Sequence, residues 1–173
     1  MTRSRSISFL AGAAALALGA LTAGGCGGSS ASRSTVPPTT NDGRPATVGV
    51  ATGGLGQILV NSQGRTLYLF QKDSGTTSAC TGPCATFWPP LRTNSKPTVG
   101  SGASESLLAT TTRSDRGTQI TYNGHPLYLY SGDQKPGDTK GEGLTAFGGS
   151  WFALTPAGAE VSRQASNPGG YGY

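Results

Sequence analysis

Two ten-residue stretches decide the fold, and both carry one pattern: GRTLYLFQKD at residues 64–73 and GHPLYLYSGD at residues 124–133. We call them the Tyr-Asp motifs, because both fit Tyr-x-aromatic-x-x-Asp, and they start sixty positions apart. Leucines alternate with aromatic residues in each motif, so the two kinds of side chain point to opposite faces of a β-strand. Since both faces are apolar, we predict interior strands that protein covers on either side.

Short stretches rich in β-branched and aromatic residues, bounded by Gly, Asn, Asp or Pro, fill the remainder of residues 46–163. Such stretches predict strands, and helical periodicity is nearly absent. Each Tyr-Asp motif ends a hairpin pattern, and Asn123-Gly124 is the strongest hairpin signal in the chain. A lone hairpin is marginal in water. We therefore predict an all-β fold in which two quasi-equivalent antiparallel β-repeat units, 46–104 and 105–163, pack as one small domain.

Two further stretches accompany the motifs, CTGPCATFWPPL at residues 80–91 and PGDTKGEG at residues 136–143. Together with the two Tyr-Asp motifs, they resemble the bacterial predicted lipoproteins built from a secreted repeat of unknown function. The resemblance covers about residues 46–160. It implies an exported, usually lipid-anchored β-repeat protein, and it assigns no biochemical role.

The N-terminus is typical of an exported bacterial protein. Residues 1–25 have the pattern of a secretory signal peptide, in which Arg3 and Arg5 precede a short apolar run rich in Ala and Gly. Cys26 follows directly, as the diacylated cysteine follows the signal in bacterial lipoproteins, although Ala23 replaces the leucine preferred there. We predict that lipidated Cys26 anchors the chain to the outer face of the bacterial cytoplasmic membrane. The alternative is ordinary cleavage, which leaves a stray thiol.

Two polar segments flank the predicted domain. Residues 26–45 begin with the cysteine that we expect to be lipidated and continue with Gly, Ser, Thr and Pro. Such a composition cannot bury enough apolar surface to offset the entropy of ordering, so we predict a disordered tether. Residues 164–173 are rich in Gly and include two Tyr, and we predict that they form a flexible tail.

The count of three cysteines is odd, which needs an explanation in an exported protein. Lipidation of Cys26 leaves Cys80 and Cys84, which we predict to form a disulfide in an oxidising compartment. The alternative is a metal-binding (Cu/Zn) or thiol redox protein that uses Cys80 and Cys84, with the single His125 as a further soft ligand. We predict neither a metal site nor a cofactor.

The aromatic residues of the motifs allow two interpretations. The first places them in the interior, with Tyr68 near Trp88 and Tyr128 near Trp151 in two units related by an approximate twofold. The second places them in an aromatic groove for a glycan, quinone or peptide. The motif aspartates are expected to bind nearby backbone amides at the strand ends. The candidate ligand-binding residues are Tyr68, Phe70, Asp73, Trp88, Tyr128, Tyr130, Asp133 and Trp151.

The loop at residues 131–150 is long for a compact domain. Asp133, Asp138 and Glu142 offer carboxylate oxygens there, but their spacing fits no established calcium loop. We therefore do not predict a calcium site.

Charge and motifs exclude several function classes. The formal net charge is +5, but the part from Ala46 onward has nine Lys and Arg and seven Asp and Glu, a net charge of +2. These basic residues do not cluster into a stripe, so we expect no nucleic-acid binding. The chain has no Gly-x-Ser-x-Gly elbow and no phosphate-binding loop in a strand and helix context. We expect a protein without enzymatic activity that binds or scaffolds at the cell envelope, with the ligand or protein partner left open.

Overall fold

Strands dominate residues 45–161, the part of the chain that the computed structural model describes. The elements in chain order are β1 (Thr47–Gly53), β2 (Gly56–Asn61), β3 (Tyr68–Phe70), α1 (Pro83–Phe87), β4 (Arg92–Thr93), β5 (Thr98–Val99), a 3₁₀ turn (Glu105–Leu107), β6 (Leu108–Thr112), β7 (Thr118–Tyr122), β8 (His125–Pro126), β9 (Thr145–Ala146) and β10 (Gly149–Ala153). The predicted all-β class is confirmed. No helix within this described range is long and apolar enough to cross a membrane.

Several predicted segments lie outside the described residues. They are the signal peptide (1–25), lipidated Cys26 with all but the last residue of the tether (26–45), and the tail (164–173). These assignments stay predictions.

Each repeat begins with an antiparallel hairpin. In the first repeat β1 pairs with β2, and in the second β6 pairs with β7. The predicted turn at Asn123-Gly124 joins β7 to β8, with Tyr122 opposite His125. Both turn residues have positive φ, 49° and 79°, as a two-residue hairpin turn requires.

The two repeats exchange one strand each. β10, from the second repeat, pairs with β3 of the first, and β4, from the first repeat, pairs with β7 of the second. Equivalent backbone bonds flank both exchanged strands: Leu59 N donates to Leu154 O at 2.8 Å, and Ile120 N donates to Leu91 O at 2.9 Å. Each repeat therefore completes the sheet of the other, and neither forms its full set of strand pairs alone.

The two Tyr-Asp motifs meet at the centre of this exchange. Tyr68 N donates to Tyr128 O, and Tyr128 N donates to Tyr68 O, both at 2.9 Å. This reciprocal pair lies where an approximate twofold between the repeats would pass. The prediction of two quasi-equivalent β-repeat units packed together is confirmed.

The core has two clusters, one on each face of the motif strands. Leucines from both motifs enter an aliphatic cluster that also contains Val48, Leu59 and Ile120. The motif aromatics enter an aromatic cluster that also contains both tryptophans and both disulfide cysteines. The alternation of leucine and aromatic residues thus separates the two clusters, and the predicted covering of both strand faces is confirmed.

Candidate functional site

Four aromatic side chains, two from each repeat, stack face to face in the aromatic cluster. In order they are Phe70, Trp151, Trp88 and Tyr130, and we call them the ring stack. The central indoles are nearly parallel, with centroids 3.9 Å apart and 3° between their planes. Phe70 lies 4.0 Å from Trp151, and Tyr130 lies 4.4 Å from Trp88. Three of the rings are buried, and Tyr130 at one end is half-buried.

The two motif tyrosines meet the ring stack edge-on. Tyr68 lies 5.5 Å from Trp88 at an interplanar angle of 79°, and Tyr128 lies 5.2 Å from Trp151 at 87°. The prediction that each tyrosine packs near the tryptophan of its own repeat is confirmed. All these rings except the half-buried Tyr130 are buried, which supports the interior interpretation over a ligand groove. Ligand binding by the eight candidate residues stays a prediction.

The polar ends of the motifs are joined across the two repeats. Tyr68 Oη donates to Asp133 Oδ2 at 2.7 Å, and Tyr128 Oη donates to Asp73 Oδ2 at 2.8 Å. Each motif therefore supplies its tyrosine to the aspartate of the other motif. We call these two hydrogen bonds the cross-braces.

The second oxygen of each aspartate binds a backbone amide in its own loop. Asp133 Oδ1 accepts from Lys140 N at 2.9 Å, and Asp73 Oδ1 accepts from Ala79 N at 2.7 Å. The predicted bonding of the aspartates to nearby amides is confirmed. The cross-braces were not predicted. The sequence carries no signal for them, because each tyrosine and its aspartate lie in different motifs, 65 and 55 positions apart.

Burial controls the ionisation of the cross-braces. Desolvation, together with the neighbouring carboxylate, raises the pKa of both Tyr68 and Tyr128 well above the usual phenol value. Desolvation also raises the pKa of Asp133 and Asp73, and the phenol and amide donors oppose that rise. The phenols therefore stay protonated at neutral pH and are available to donate.

A buried arginine that the sequence did not reveal lies beside one cross-brace. The Arg113 guanidinium donates to Ser78 Oγ at 2.8 Å, to Cys80 O at 2.6 Å and to Asp115 Oδ2 at 2.7 Å. Its sequence context, TTRSDRG, is typical of an exposed turn, and its partners around residue 80 are distant in the chain. Arg113 therefore fastens the disulfide loop to the second hairpin.

The disulfide between Cys80 and Cys84 is confirmed, with Cα atoms 5.2 Å apart. In the loop-entropy model, a bridge that closes so short a loop stabilises the folded state by about 2 kcal/mol. Cys84 lies in α1, and Trp88 N donates to Cys84 O at 2.8 Å, so the bridge also positions one indole of the ring stack. In the oxidised form neither cysteine offers a thiolate to a metal. Across residues 45–161 no group of three or more His, Cys, Asp or Glu side chains is placed to hold a metal ion.

The three carboxylates of the loop at 131–150 are engaged separately. Asp133 takes part in a cross-brace, Asp138 Oδ2 accepts from Gln134 N at 2.9 Å, and Glu142 Oε2 accepts from Ala153 N at 2.7 Å. Asp133 and Glu142 therefore join this loop to Tyr68 and to β10, whereas Asp138 stabilises a turn within the loop.

Gly141 brings the backbone of the same loop onto the aromatic cluster. A Cβ atom at this position would lie 2.8 Å from Tyr68 Cζ and 2.9 Å from Trp88 Cη2, closer than such atoms normally approach. Gly141 N also donates to Tyr68 Oη at 3.3 Å. Only a residue without a side chain fits here, because the rings on the other side are themselves packed.

Gly141→Ala is expected to lower the free energy of unfolding by about 1–3 kcal/mol, because the added methyl group overpacks the buried rings. Urea denaturation of the purified protein measures the change. Gly54→Ala is the matched control, since nothing lies within 4 Å of a Cβ at Gly54. We expect a change within about 0.5 kcal/mol for this control. Equal losses for the two variants would contradict the packing argument.

Two phenylalanines outside the predicted candidate residues are exposed. Phe87 is 54% exposed and Phe147 is 41% exposed, and their ring centroids are 5.9 Å apart. One precedes Trp88 directly and the other lies in the turn before β10, so they come from different repeats. They form a small apolar surface, which we call the phenylalanine pair.

The fold and the site define an all-β protein of two interlocked repeats, each supplying half of one ring stack. A family model described as "Secreted repeat of unknown function" (Lipoprotein_15) matches residues 49–92 and 109–155. The chain belongs to this family, as the resemblance implied. Each match runs from the first hairpin through the Tyr-Asp motif and its tryptophan to the exchanged strand. The family description supports export from the cell. No curated protein and no solved structure matches the chain.

Proposed function

We propose that this protein is a lipid-anchored module on the outer face of the bacterial cytoplasmic membrane, where it binds or scaffolds envelope components without catalysis. Lipidated Cys26 is the anchor in this proposal, and the following polar segment is the tether that holds the β-repeat domain away from the bilayer. The family description, a secreted repeat, agrees with this placement at the level of export.

The observation that carries the proposal is the pair of cross-braces. Both motif aspartates have one oxygen on a phenol and the other on a backbone amide. Carboxylates held in this way stabilise the interlocked repeats, whereas a general acid or base must reach a substrate. The most distinctive side chains of the repeat therefore serve a rigid body, which suits a scaffolding or binding role.

The phenylalanine pair is the surface that best suits contact with a partner. Aromatic side chains are enriched at protein interfaces, where they bury a large area at small entropic cost. Phe87 is the last residue of α1 and directly precedes Trp88, whereas Phe147 lies in the turn before β10, the strand that carries Trp151. The rigid core thus holds both exposed rings in a fixed relation.

Cys26→Ser is expected to move the protein from the membrane fraction to the medium or to leave it unprocessed. The thioether that carries the diacylglycerol cannot form on a serine side chain, so the lipid that holds the chain to the bilayer is lost. Fractionation of cells that export the protein, followed by immunoblotting and intact-mass measurement, checks this outcome.

Ser34→Ala provides the matched control, because it lies in the same polar segment and leaves the cysteine in place. We expect the control to stay with the membrane fraction and to carry the added mass of the lipid. A correctly processed Cys26→Ser protein that stays with the membrane would overturn the anchoring.

A further inference from the structure

We propose that the ring stack and the two cross-braces form a one-electron oxidation site that receives an oxidising equivalent from a diffusible free radical of the organic peroxyl class. The indoles lose an electron first. A cross-braced tyrosine then gives an electron to the indoles and passes its phenolic proton to the aspartate of the other repeat.

The stacking geometry supplies the first step. Among aromatic side chains, indole and phenol lose an electron most readily. The two indoles are parallel at 3.9 Å, which allows their π systems to share the positive charge left by a lost electron. Tyr130 stacks on Trp88 at 4.4 Å and is half-buried, so it connects the buried indoles to the surface where an oxidant arrives.

The cross-braces supply the second step. A phenol that loses an electron becomes a strong acid and must give up its proton, which is difficult in a buried site without a base. Tyr68 Oη lies 2.7 Å from Asp133 Oδ2, within the reach of direct proton transfer. Burial raises the pKa of this carboxyl group, which makes its ionised form a better proton acceptor.

The twofold arrangement provides a second, equivalent acceptor. Tyr128 Oη lies 2.8 Å from Asp73 Oδ2 and 2.7 Å from Ser78 Oγ. The phenol has a single proton, and the carboxylate is the stronger acceptor, so Ser78 is placed to donate to the phenolic oxygen. Each indole of the stack thus has a carboxylate-bound tyrosine at its edge.

The reaction moves one electron and two protons. The peroxyl radical ROO• takes one electron from the stack and one proton from water, and the products are the hydroperoxide ROOH and a hydroxide ion. Tyr68, which is hydrogen-bonded to ionised Asp133, then donates one electron to the oxidised stack and transfers its phenolic proton to Asp133. The products are a neutral tyrosyl radical and a protonated carboxyl group, and no covalent bond other than O–H is broken or formed.

Tyr122 is an internal control that the fold provides. Its side chain is as buried as those of the motif tyrosines. Its hydroxyl donates to Pro156 O at 2.9 Å and accepts from Ser104 N at 2.8 Å. A backbone carbonyl is not a base at neutral pH, so Tyr122 has the burial without the proton acceptor.

The test uses the full chain carrying Tyr171→Phe and Tyr173→Phe, which removes the tail tyrosines as competing donors. Photo-oxidised ruthenium tris(bipyridine) with persulfate supplies a one-electron oxidant, and freeze-quench electron paramagnetic resonance identifies the radical. We expect a long-lived tyrosyl signal. The pair Tyr68→Phe and Tyr128→Phe should lose most of it, whereas Tyr122→Phe should leave it unchanged.

The pair Asp73→Asn and Asp133→Asn separates proton transfer from packing, because the amide keeps a hydrogen-bond acceptor but is not a base. We expect a tryptophan radical to replace the tyrosyl signal in this variant. Spin trapping and peptide mass mapping give an answer even where a variant does not fold, because they use the protein in which the two motif tyrosines and the two motif aspartates are all intact. Adducts at Tyr68 or Tyr128 support the proposal. Adducts at Tyr122, or a tyrosyl signal unaffected by the Asp→Asn pair, overturn it.

Discussion

Trp151→Ala is expected to lower the free energy of unfolding by about 3–5 kcal/mol, the range for removing a large buried aromatic side chain. Its indole is fully buried, stacks on two rings and contacts the edge of Tyr128. It lies in β10, the strand of the second repeat that pairs with β3 of the first repeat. The total free energy of unfolding of such a domain is about 5–15 kcal/mol, so this loss leaves little stability. Urea denaturation followed by circular dichroism measures it.

Phe87→Ala is the matched control for Trp151→Ala. Both substitutions remove an aromatic side chain, but Phe87 is 54% exposed. We expect a change within about 0.5 kcal/mol, as for most surface positions. Trp88→Ala should cost about as much as Trp151→Ala, because the twofold places both indoles at the centre of the ring stack. A small loss for either tryptophan would contradict the description of the ring stack as the core.

The local features of the fold were predictable from the sequence, because they depend on neighbouring residues. The alternation within Leu67 to Phe70 specifies a strand covered on both faces, and the structure has this arrangement. Asn123-Gly124 specifies a tight hairpin turn because both positions need positive φ. The disulfide followed from the predicted export of the chain and from the short spacing of Cys80 and Cys84.

The exchange of strands between the repeats was not predictable in the same way. A strand pattern specifies which faces are buried, but the choice of pairing partner depends on contacts between residues far apart in sequence. β10 has the composition to pair with either hairpin, and the repeat makes the two choices look alike. The cross-braces follow from the exchange, so they were hidden for the same reason.

The buried arginine was missed for a different reason. Arg113 lies in a polar turn, and charged residues in such turns are normally exposed. Its burial depends on carbonyl and hydroxyl groups of the disulfide loop, which lie more than thirty positions away. Only the folded chain brings these acceptors to the guanidinium.

Tyr68→Ala and Tyr128→Ala are each expected to cost about 3–5 kcal/mol, because each substitution opens a cavity beside a tryptophan and removes a cross-brace. Both side chains are fully buried at equivalent positions. Thermal and urea denaturation of the two variants measure the losses side by side. A large loss at one position with none at the other would refute the equivalence of the two repeats.

Tyr68→Phe isolates the hydroxyl from the ring. This substitution keeps the contact with Trp88 but leaves Asp133, which is 1% exposed, without its phenol donor. We expect a loss of about 1–3 kcal/mol at neutral pH, the usual cost of leaving a buried polar group unsatisfied. The loss should be pH-dependent, because the phenol lowers the pKa of Asp133 and its removal lets burial raise that pKa further.

The sign of this pH dependence follows from proton linkage. A carboxyl group whose folded pKa lies above its unfolded value favours the folded state at low pH, and this contribution is lost as the pH rises through the folded pKa. Tyr68→Phe enlarges that shift at Asp133, so its cost relative to the unsubstituted protein should shrink as the pH falls from neutral toward the folded pKa. Tyr122→Phe is the matched control: its hydroxyl donates to a backbone carbonyl, so its loss of about 0.5–1.5 kcal/mol should stay constant over the same range. Urea denaturation at a series of pH values compares the two variants, and a cost for Tyr68→Phe that stays flat or grows on acidification would show that Asp133 is not held as an ion by Tyr68.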